Sequence, residues 1–169
     1  MLRPRVIPSL LIRDSGLVKT VQFEDGKYVG DPINTARIFN EKEVDELLVL
    51  DIDASANGKR PDYDVIANLA AECRMPLCYG GGIKTVEHAN RIIGLGVEKI
   101  SLSSAAVENP QIVSEIAQQI GSQSVVVVID IRTDGIKGEL TQWIYNGTRQ
   151  VLGDPIEFAK EMERLGAGE

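Results

Sequence analysis

Runs of apolar residues recur along the chain and are separated by segments with helical spacing. The runs LLVLDI and VVVVID are apolar at nearly every position, which is typical of parallel strands covered on both faces. Between the runs, apolar residues return at intervals of three and four, as on one face of a helix. The pattern predicts five strands, at residues 5–12, 46–52, 76–79, 99–103 and 125–131.

Helix start signals precede the intervening segments. Asp31 and Pro32 supply an N-cap and a first-turn proline. Further helices are predicted at residues 61–71, 85–93 and 109–120. Strands and helices therefore alternate with short connections, which predicts an α/β fold, either a doubly wound open sheet or a (β/α)8 barrel.

Two hairpins interrupt the alternation. Residues 18–29 have two β-prone arms around Asp25-Gly26, and residues 139–145 and 149–152 flank Asn146-Gly147. Each hairpin follows a parallel strand. Both are therefore expected on the side of the fold where the active sites of α/β proteins lie.

The sequence contains an internal repeat. Gly-Asp-Pro-Ile occurs at residues 30–33 and at 153–156, an offset of 123 residues that also places Glu46 over Glu169. A half of this length, doubled, approaches the roughly 250 residues of eight-stranded barrels. We therefore expect one domain over residues 1–169, a (β/α)8 TIM-type barrel of two half-barrel repeats. The repeat units are about 1–123 and 124–169, and the chain is expected to end before strand six, with only about the first five βα units.

The opening stretch aligns with the fifth strand. Residues 10–16, LLIRDSG, lie over residues 129–135, IDIRTDG, which puts Leu11 opposite Asp130. An acid after four valines and an isoleucine is costly unless it is paired or used, so Asp130 is predicted to act as an acid or base. Leu11 leaves the equivalent place on the first strand without a carboxylate.

Small and hydroxyl residues follow the third and fourth strands. The glycines at 80–82 precede a predicted helix and offer backbone N–H groups to an anion, and Ser103 and Ser104 can add hydroxyl donors. An isolated glycine triplet is equally consistent with a tight turn, but the adjacent serines favour a phosphate site. Asp51, at the end of the second strand, is a further candidate active-site residue.

Composition narrows the function classes. The chain has 18 basic and 25 acidic residues, a net charge of −7, and no run of Lys and Arg, which disfavours binding of nucleic acid. No apolar stretch approaches the ~20 residues of a membrane span, and no signal peptide is evident, so a cytoplasmic protein without membrane association is expected. Cys73, Cys78 and the single His88 lack metal-ligand spacing, so no metal and no cofactor are predicted.

The sequence resembles the cyclase subunit of imidazole glycerol phosphate synthase along its whole length. The resemblance is carried by Arg5-Val-Ile, Val18-Lys19, Gly30-Asp-Pro, residues 45–52, Gly80-Gly-Gly-Ile, residues 105–110, Gly121-Ser-Gln and residues 125–130. It implies a (β/α)8 barrel that serves as the synthase subunit of a glutamine amidotransferase. A separate glutaminase would dock on the N-terminal barrel face as its heterodimer partner and deliver ammonia through the barrel to a phosphorylated small-molecule substrate.

The resemblance also implies roles for individual residues. Lys19 matches a catalytic lysine on a mobile loop, and Asp130 matches the acid or base of the fifth strand. The first phosphate site of the family is matched by Gly81, Gly82, Ser103 and Ser104, although Ser103 stands where the family usually has asparagine. A ring of alternating charges that gates ammonia is matched by Arg5, Glu46, Lys99 and Glu169.

Leu11 departs from the family pattern. Members that act in histidine synthesis carry an aspartate there, which works with the strand-five acid in ring closure. The change favours a paralogue that transfers ammonia to a nucleotide-linked or acyl sugar in surface-polysaccharide synthesis. Two alternatives stay open: Asp14 replaces the missing acid and the histidine reaction persists, or the chain is a non-catalytic module that binds and activates a glutaminase.

Overall fold

Parallel strands and helices alternate in the computed structural model, which describes residues 4–21, 24–133 and 138–169. The strands in chain order are β1 (Ser9–Arg13), β2 (Gly16–Val21), β3 (Glu24–Gly30), β4 (Leu47–Asp51), β5 (Leu77–Gly80), β6 (Lys99–Leu102), β7 (Val125–Val127), β8 (Asp130–Thr133), β9 (Leu140–Ile144) and β10 (Arg149–Val151). The helices are α1 (Pro32–Glu41), α2 (Tyr63–Glu72), α3 (Val86–Gly94), α4 (Ser104–Glu108), α5 (Gln111–Ile120) and α6 (Pro155–Leu165).

The strands form two sheets. In the seven-stranded sheet, β1, β4, β5, β6 and β7 lie side by side and parallel, and the hairpin β2–β3 extends the sheet beyond β1. The strands β8, β9 and β10 form a separate antiparallel sheet. The predicted α/β fold is confirmed, and successive parallel neighbours joined by helices give the order of a partial (β/α)8 barrel.

The two faces of the main sheet differ in burial. Leu47 and Val49 of β4 face the helices and are fully buried, whereas Leu48 and Leu50 on the opposite face are partly exposed. Five parallel strands cannot close a barrel, so the inner face stays partly uncovered in the described residues. The expectation of burial on both faces is therefore wrong for β4, and also for β7, in which Val125 is buried but Val126 and Val127 are partly exposed.

Both Gly-Asp-Pro-Ile segments start a helix with an aspartate as the N-cap, although the two caps accept from different positions of the first turn. The Asp31 side chain accepts a hydrogen bond from the Asn34 N–H at the start of α1, and the Asp154 side chain accepts one from the Ile156 N–H at the start of α6. Each helix has proline in its first turn. The predicted N-cap at Asp31 is confirmed, and the internal duplication itself stays a prediction.

Two predicted strand boundaries were wrong. The first strand begins at Ser9 rather than at residue 5, because Pro8 has no N–H to continue the ladder, although the Pro8 carbonyl still accepts from Leu48 N–H. The fifth strand ends at Val127, and the chain then enters the second sheet as β8. An unbroken apolar run contains no signal for such a change of sheet.

The turn of the first hairpin differs from the prediction, and the turn of the second agrees with it. Val21 pairs with Glu24, so Asp25-Gly26 lies within β3 and not at the turn as expected. In the second hairpin Ile144 pairs with Arg149, and the turn between them contains Asn146-Gly147, as predicted. Residues 134 and 135, which the repeat aligns with residues 15 and 16, lie outside the described residues.

Over the described ranges, the helices are all too short or too polar to traverse a bilayer.

Candidate functional site

A cleft of about 300 Å³ opens at the carboxyl ends of the parallel strands. The sheet register pairs Leu11 with Leu50, Leu50 with Gly80, and Gly80 with Ser101, so these four residues form one row across β1, β4, β5 and β6. All four line the cleft. Because active sites of such barrels lie at this end of the strands, the cleft is the candidate active site.

Asp130 and Leu11 both line this cleft, as their alignment in the repeat predicted. Asp130 is the first residue of β8 and is half-buried, and this burial raises the pKa of its carboxyl group above the usual 3.8. Within the described ranges no hydrogen bond or neighbouring charge offsets the effect of burial on this pKa. A raised pKa makes the Asp130 carboxylate a stronger base than a free aspartate. The residue that lines the cleft on the β1 side is a leucine, Leu11, instead of a second acid.

Asp51 brings another carboxyl group to the cleft. It ends β4, and its Oδ1 accepts hydrogen bonds from the N–H groups of Asp53 (3.3 Å) and Ala54 (3.1 Å). Burial raises the pKa of Asp51 despite these two bonds. One oxygen of this carboxylate therefore holds the turn after β4, which leaves the other for the cleft.

The glycine loop after β5 is too crowded for any side chain. Gly81 (φ +124°) and Gly82 (φ +70°) have positive φ, and an added Cβ would lie 2.6 Å from the carbonyl oxygens of Asp51 and Lys59 respectively. Both glycines line the cleft, together with Ser103 and Ser104, so the predicted phosphate-binding set is brought together. Backbone N–H groups and hydroxyls at this end of the cleft suit an anion.

The second hairpin contributes residues that the sequence did not indicate. Tyr145 and Asn146 line the cleft, with φ of 54° and 56°, in the left-handed region. The Asn146 Nδ2 donates to Asp53 Oδ1 at 2.7 Å. A signal was present, because a hairpin with an Asn146-Gly147 turn was expected on the catalytic side, but sequence cannot show how far the tip reaches over the sheet.

Two predicted site residues lie outside the cleft. Lys19 is exposed on β2, and its neighbour Thr20 lines the cleft instead. The Asp14 side chain is 78% exposed, with Oδ1 3.4 Å from Lys59 Nζ, and lies in a separate polar depression. The place opposite Asp130 is therefore not filled by Asp14 in this structure.

Four charged side chains meet at the amino ends of the strands. Glu46 Oε2 lies 3.3 Å from an Arg5 nitrogen and 2.9 Å from Lys99 Nζ. Glu169 Oε1 lies 2.9 Å from the other Arg5 nitrogen and 3.0 Å from Lys99 Nζ. The four residues thus form a closed ring of alternating charge, which we call the charge ring.

Contacts within the charge ring favour the charged forms of Lys99 and Glu169. Burial alone would lower the pKa of Lys99, but hydrogen bonds from its ammonium to Glu46 and Glu169 outweigh burial and raise it. Burial would raise the pKa of Glu169, but bonds from Lys99 and Arg5 outweigh it and lower the pKa. These shifts favour the charged forms of Lys99 and Glu169, and the buried Glu46 side chain, 4% exposed, contacts a cation on each side.

The described residues offer neither a metal-binding cluster nor an ionised thiol at Cys78. Among the residues that the structure describes, no cluster of three or more His, Cys, Asp and Glu side chains could hold a metal ion. Burial raises the pKa of the Cys78 thiol to about 12, so this group stays protonated at neutral pH.

Comparison with known proteins agrees with the fold. A family model described as "Histidine biosynthesis protein" matches residues 5–169. Proteins from Vibrio vulnificus (58% identical), Leptospira borgpetersenii (56%) and Pseudomonas aeruginosa (56%) match all 169 residues, and each carries the provisional name of imidazole glycerol phosphate synthase subunit. The chain spans 65%, 66% and 67% of their respective lengths. The chain belongs to the histidine biosynthesis protein family.

Proposed function

We propose that this chain belongs to the synthase subunit of a glutamine amidotransferase, and that Asp130 promotes addition of ammonia to a phosphorylated acceptor. The observation that carries the proposal is that Asp130 and Leu11 line the same cleft as the glycine and serine residues of the phosphate-binding set. The names of the relatives support the synthase subunit. The fold supports the same placement, since the cleft is at the carboxyl ends of the strands.

Ammonia enters from the opposite end in this proposal. The charge ring lies at the amino ends of the strands, which is the proposed docking face for the glutaminase. Glu46 of the charge ring is four residues from Leu50 in the cleft, which corresponds to about 13 Å along an extended strand. The two cations and two carboxylates of the charge ring sum to zero formal charge. We assign the charge ring the role of the gate through which ammonia enters the barrel.

The acceptor is held by its phosphate. The N–H groups of Gly81 and Gly82 and the hydroxyls of Ser103 and Ser104 bind that phosphate at one end of the cleft. The Gly82 N–H donates to Ser55 Oγ at 3.3 Å in the free protein and would exchange this partner for phosphate. Lys19 contributes only after a movement of β2 toward the cleft, since its side chain is exposed outside it.

Leu11 determines which reaction follows. Imidazole ring closure uses one carboxyl group to give a proton and another to take it, and the β1 position offers no carboxyl group here. Amidine formation from an acylamino group forms a C–N bond to ammonia and breaks the C–O bond of the carbonyl, whose oxygen leaves as water. Asp130 can take a proton from the attacking nitrogen and return it to the leaving oxygen, so one carboxyl group suffices. We therefore infer that the acceptor is a nucleotide-linked or acyl sugar and that the product is an amidine in surface-polysaccharide synthesis.

Replacing Asp130 tests the catalytic role. The variant Asp130→Asn, supplied with ammonium salts and the acceptor, should lose about 100-fold or more in kcat with the acceptor KM little changed. The matched control is Asp64→Asn, an exposed aspartate on α2 outside the cleft, which should keep full activity. Equal rates for Asp130→Asn and the unaltered protein would contradict the catalytic role and favour the alternative, a non-catalytic module that binds a glutaminase.

A further inference from the structure

The second hairpin is tied to the strand ends on the β4 side of the cleft. Asp53 Oδ1 accepts from Asn146 Nδ2 at 2.7 Å and from an Arg13 guanidinium nitrogen at 3.2 Å, and Asp53 Oδ2 lies 2.6 Å from Arg13 Nε. Arg13 and Asp53 are 29% and 21% exposed, so water screens the pair only partly. A single carboxylate thus holds the hairpin tip and the end of β1 together.

A second contact holds the same hairpin on the β6 side. The Tyr145 hydroxyl donates to Glu108 at the end of α4, and Arg149 lies 3.5 Å from the same carboxylate. The Glu108 bond also raises the pKa of Tyr145. Because Asp53 follows β4 and Glu108 follows β6, the hairpin tip spans the glycine loop of β5 between them.

The hairpin tip has a backbone conformation that non-glycine residues rarely adopt. Tyr145 and Asn146 both have positive φ, followed by Gly147 at +70°. Such conformations persist where surrounding contacts enforce them, and they are common where a side chain must be aimed at a site. Here they place both side chains in the lining of the cleft.

We propose that Asp53 is a positioning residue and Asn146 a specificity-determining residue, with Asp53 fixing the Asn146 amide over the cleft so that its carbonyl oxygen binds the acceptor. Because Nδ2 donates to Asp53, the amide has one orientation and Oδ1 remains as the acceptor of hydrogen bonds. The matching group on the substrate is a hydrogen-bond donor, such as a sugar hydroxyl or an amide N–H. This inference rests on the proposed function in taking the cleft as the acceptor site.

The first hairpin meets the same junction. A Cβ at Gly26 of β3 would collide with the Arg13 guanidinium, so the backbone of β3 packs directly on it. Arg13 therefore contacts β3 on one side and Asp53 on the other. Loss of Asp53 would disturb both hairpins, whereas loss of Asn146 would release only the second.

An exchange of the two side chains tests the pairing. Asn146→Asp sets two carboxylates against each other, and Asp53→Asn removes the charge that Arg13 binds. The double variant Asp53→Asn/Asn146→Asp restores a donor and an acceptor in reversed order. Gln150→Ala is the control, because Gln150 is exposed on β10 of the same hairpin and lies outside the cleft.

The first measurement needs no substrate. Hydrogen exchange of residues 145–149 and acrylamide quenching of Trp143, the only tryptophan, both report on this hairpin. We expect Asn146→Asp to speed exchange by about tenfold or more, the double variant to return within about threefold of the unaltered protein, and Gln150→Ala to change nothing. Unchanged exchange in Asn146→Asp, or no recovery in the double variant, would overturn the role of Asp53.

The second measurement separates positioning from chemistry. With saturating ammonium, Asn146→Ala should raise the acceptor KM about tenfold and leave kcat within about threefold. Equal acceptor KM values for Asn146→Ala and Gln150→Ala would overturn the specificity role. If the unaltered protein consumes no acceptor, the proposed function and the specificity role both fail, while hydrogen exchange still decides whether Asp53 holds the hairpin.

Discussion

At the scale of single residues, the chemistry of the cleft depends on Asp130. Burial disfavours its ionised form, and among the residues that the structure describes no cation offsets the effect of burial on its pKa. The unfolded chain ionises this group near pH 3.9, below the pKa in the fold. Its contribution to stability is therefore full below the unfolded pKa and is lost as the pH rises through the folded pKa.

Replacing Asp130 should therefore affect stability and activity in opposite directions. We expect Asp130→Asn to have a larger free energy of unfolding than the unaltered protein at pH 7, because no buried charge remains at this position. The difference should shrink below about pH 4, where the aspartate is protonated in both states. Urea denaturation at the two pH values measures this, and a lower stability of the variant at pH 7 would show that a favourable contact stabilises the charge.

The glycine loop gives a second prediction at this scale. Gly81→Ala and Gly82→Ala should each cost about 1–3 kcal/mol or more, because φ is positive and a backbone oxygen occupies the place of the new Cβ. Gly94→Ala, at the end of α3 with open space around it, should be neutral or stabilise by up to about 1 kcal/mol. Thermal denaturation distinguishes them, and equal melting temperatures would mean that the loop rearranges at little cost.

Some of these residues were accessible from sequence and others were not. Asp130, Gly81 and Ser103 were found because strand ends can be located from apolar runs, and residues at strand ends meet at one edge of a parallel sheet. Tyr145 and Asn146 were missed because their approach to the cleft depends on the path of β8 away from the main sheet. No local pattern encodes that path.

At the scale of elements, the starts of α1 and α6 were accessible from local signals, whereas the end of the fifth strand was not. The N-cap aspartate and first-turn proline are local signals, and both recur at α1 and α6. The break between β7 and β8 falls at Val128 and Ile129, two residue types that suit a strand, so the break shows only in the sheet to which the neighbouring residues pair. The short helix α4 after Ser103 was missed because five residues are too few for a periodic pattern.

The matching helix starts predict matching energies. Asp31→Ala and Asp154→Ala should each reduce stability by about 1 kcal/mol, because each removes a carboxylate that accepts a backbone N–H of its helix. The double variant should lose about the sum, since the two caps share no partner. Chemical denaturation measures all three, and a cost for only one variant would mean that the two starts are not equivalent.

At the scale of the whole molecule, the cleft and the charge ring occupy opposite ends of the same parallel strands. The internal repeat pairs Glu46 with Glu169 from sequence alone, and both carboxylates share Lys99 in the fold. Closure of the charge ring could not be inferred from spacing, because it depends on Arg5 reaching across from the segment before β1. Sequence thus located the members, and only the fold shows their contacts.

Removing one member of the charge ring should be costly. Lys99→Met leaves the buried Glu46 carboxylate with Arg5 as its only cation in the charge ring, and we expect a loss of about 3–5 kcal/mol. Arg5→Met should cost less, since that side chain is 51% exposed. The double variant Glu46→Gln/Lys99→Met should recover part of the loss because no unpaired buried charge remains. Urea denaturation compares the three variants, and a loss for Lys99→Met no larger than for Arg5→Met would show that water reaches Glu46.

We propose that the cleft as a whole serves to transfer ammonia to an acceptor without closing an imidazole ring. The most direct measurement supplies ammonium salts with either the histidine-pathway ribonucleotide or an amidine-accepting nucleotide sugar and follows the consumption of each. We expect the nucleotide sugar to be consumed and the ribonucleotide to remain, because Leu11 leaves Asp130 without a partner acid. Conversion of the ribonucleotide to imidazole glycerol phosphate would contradict it.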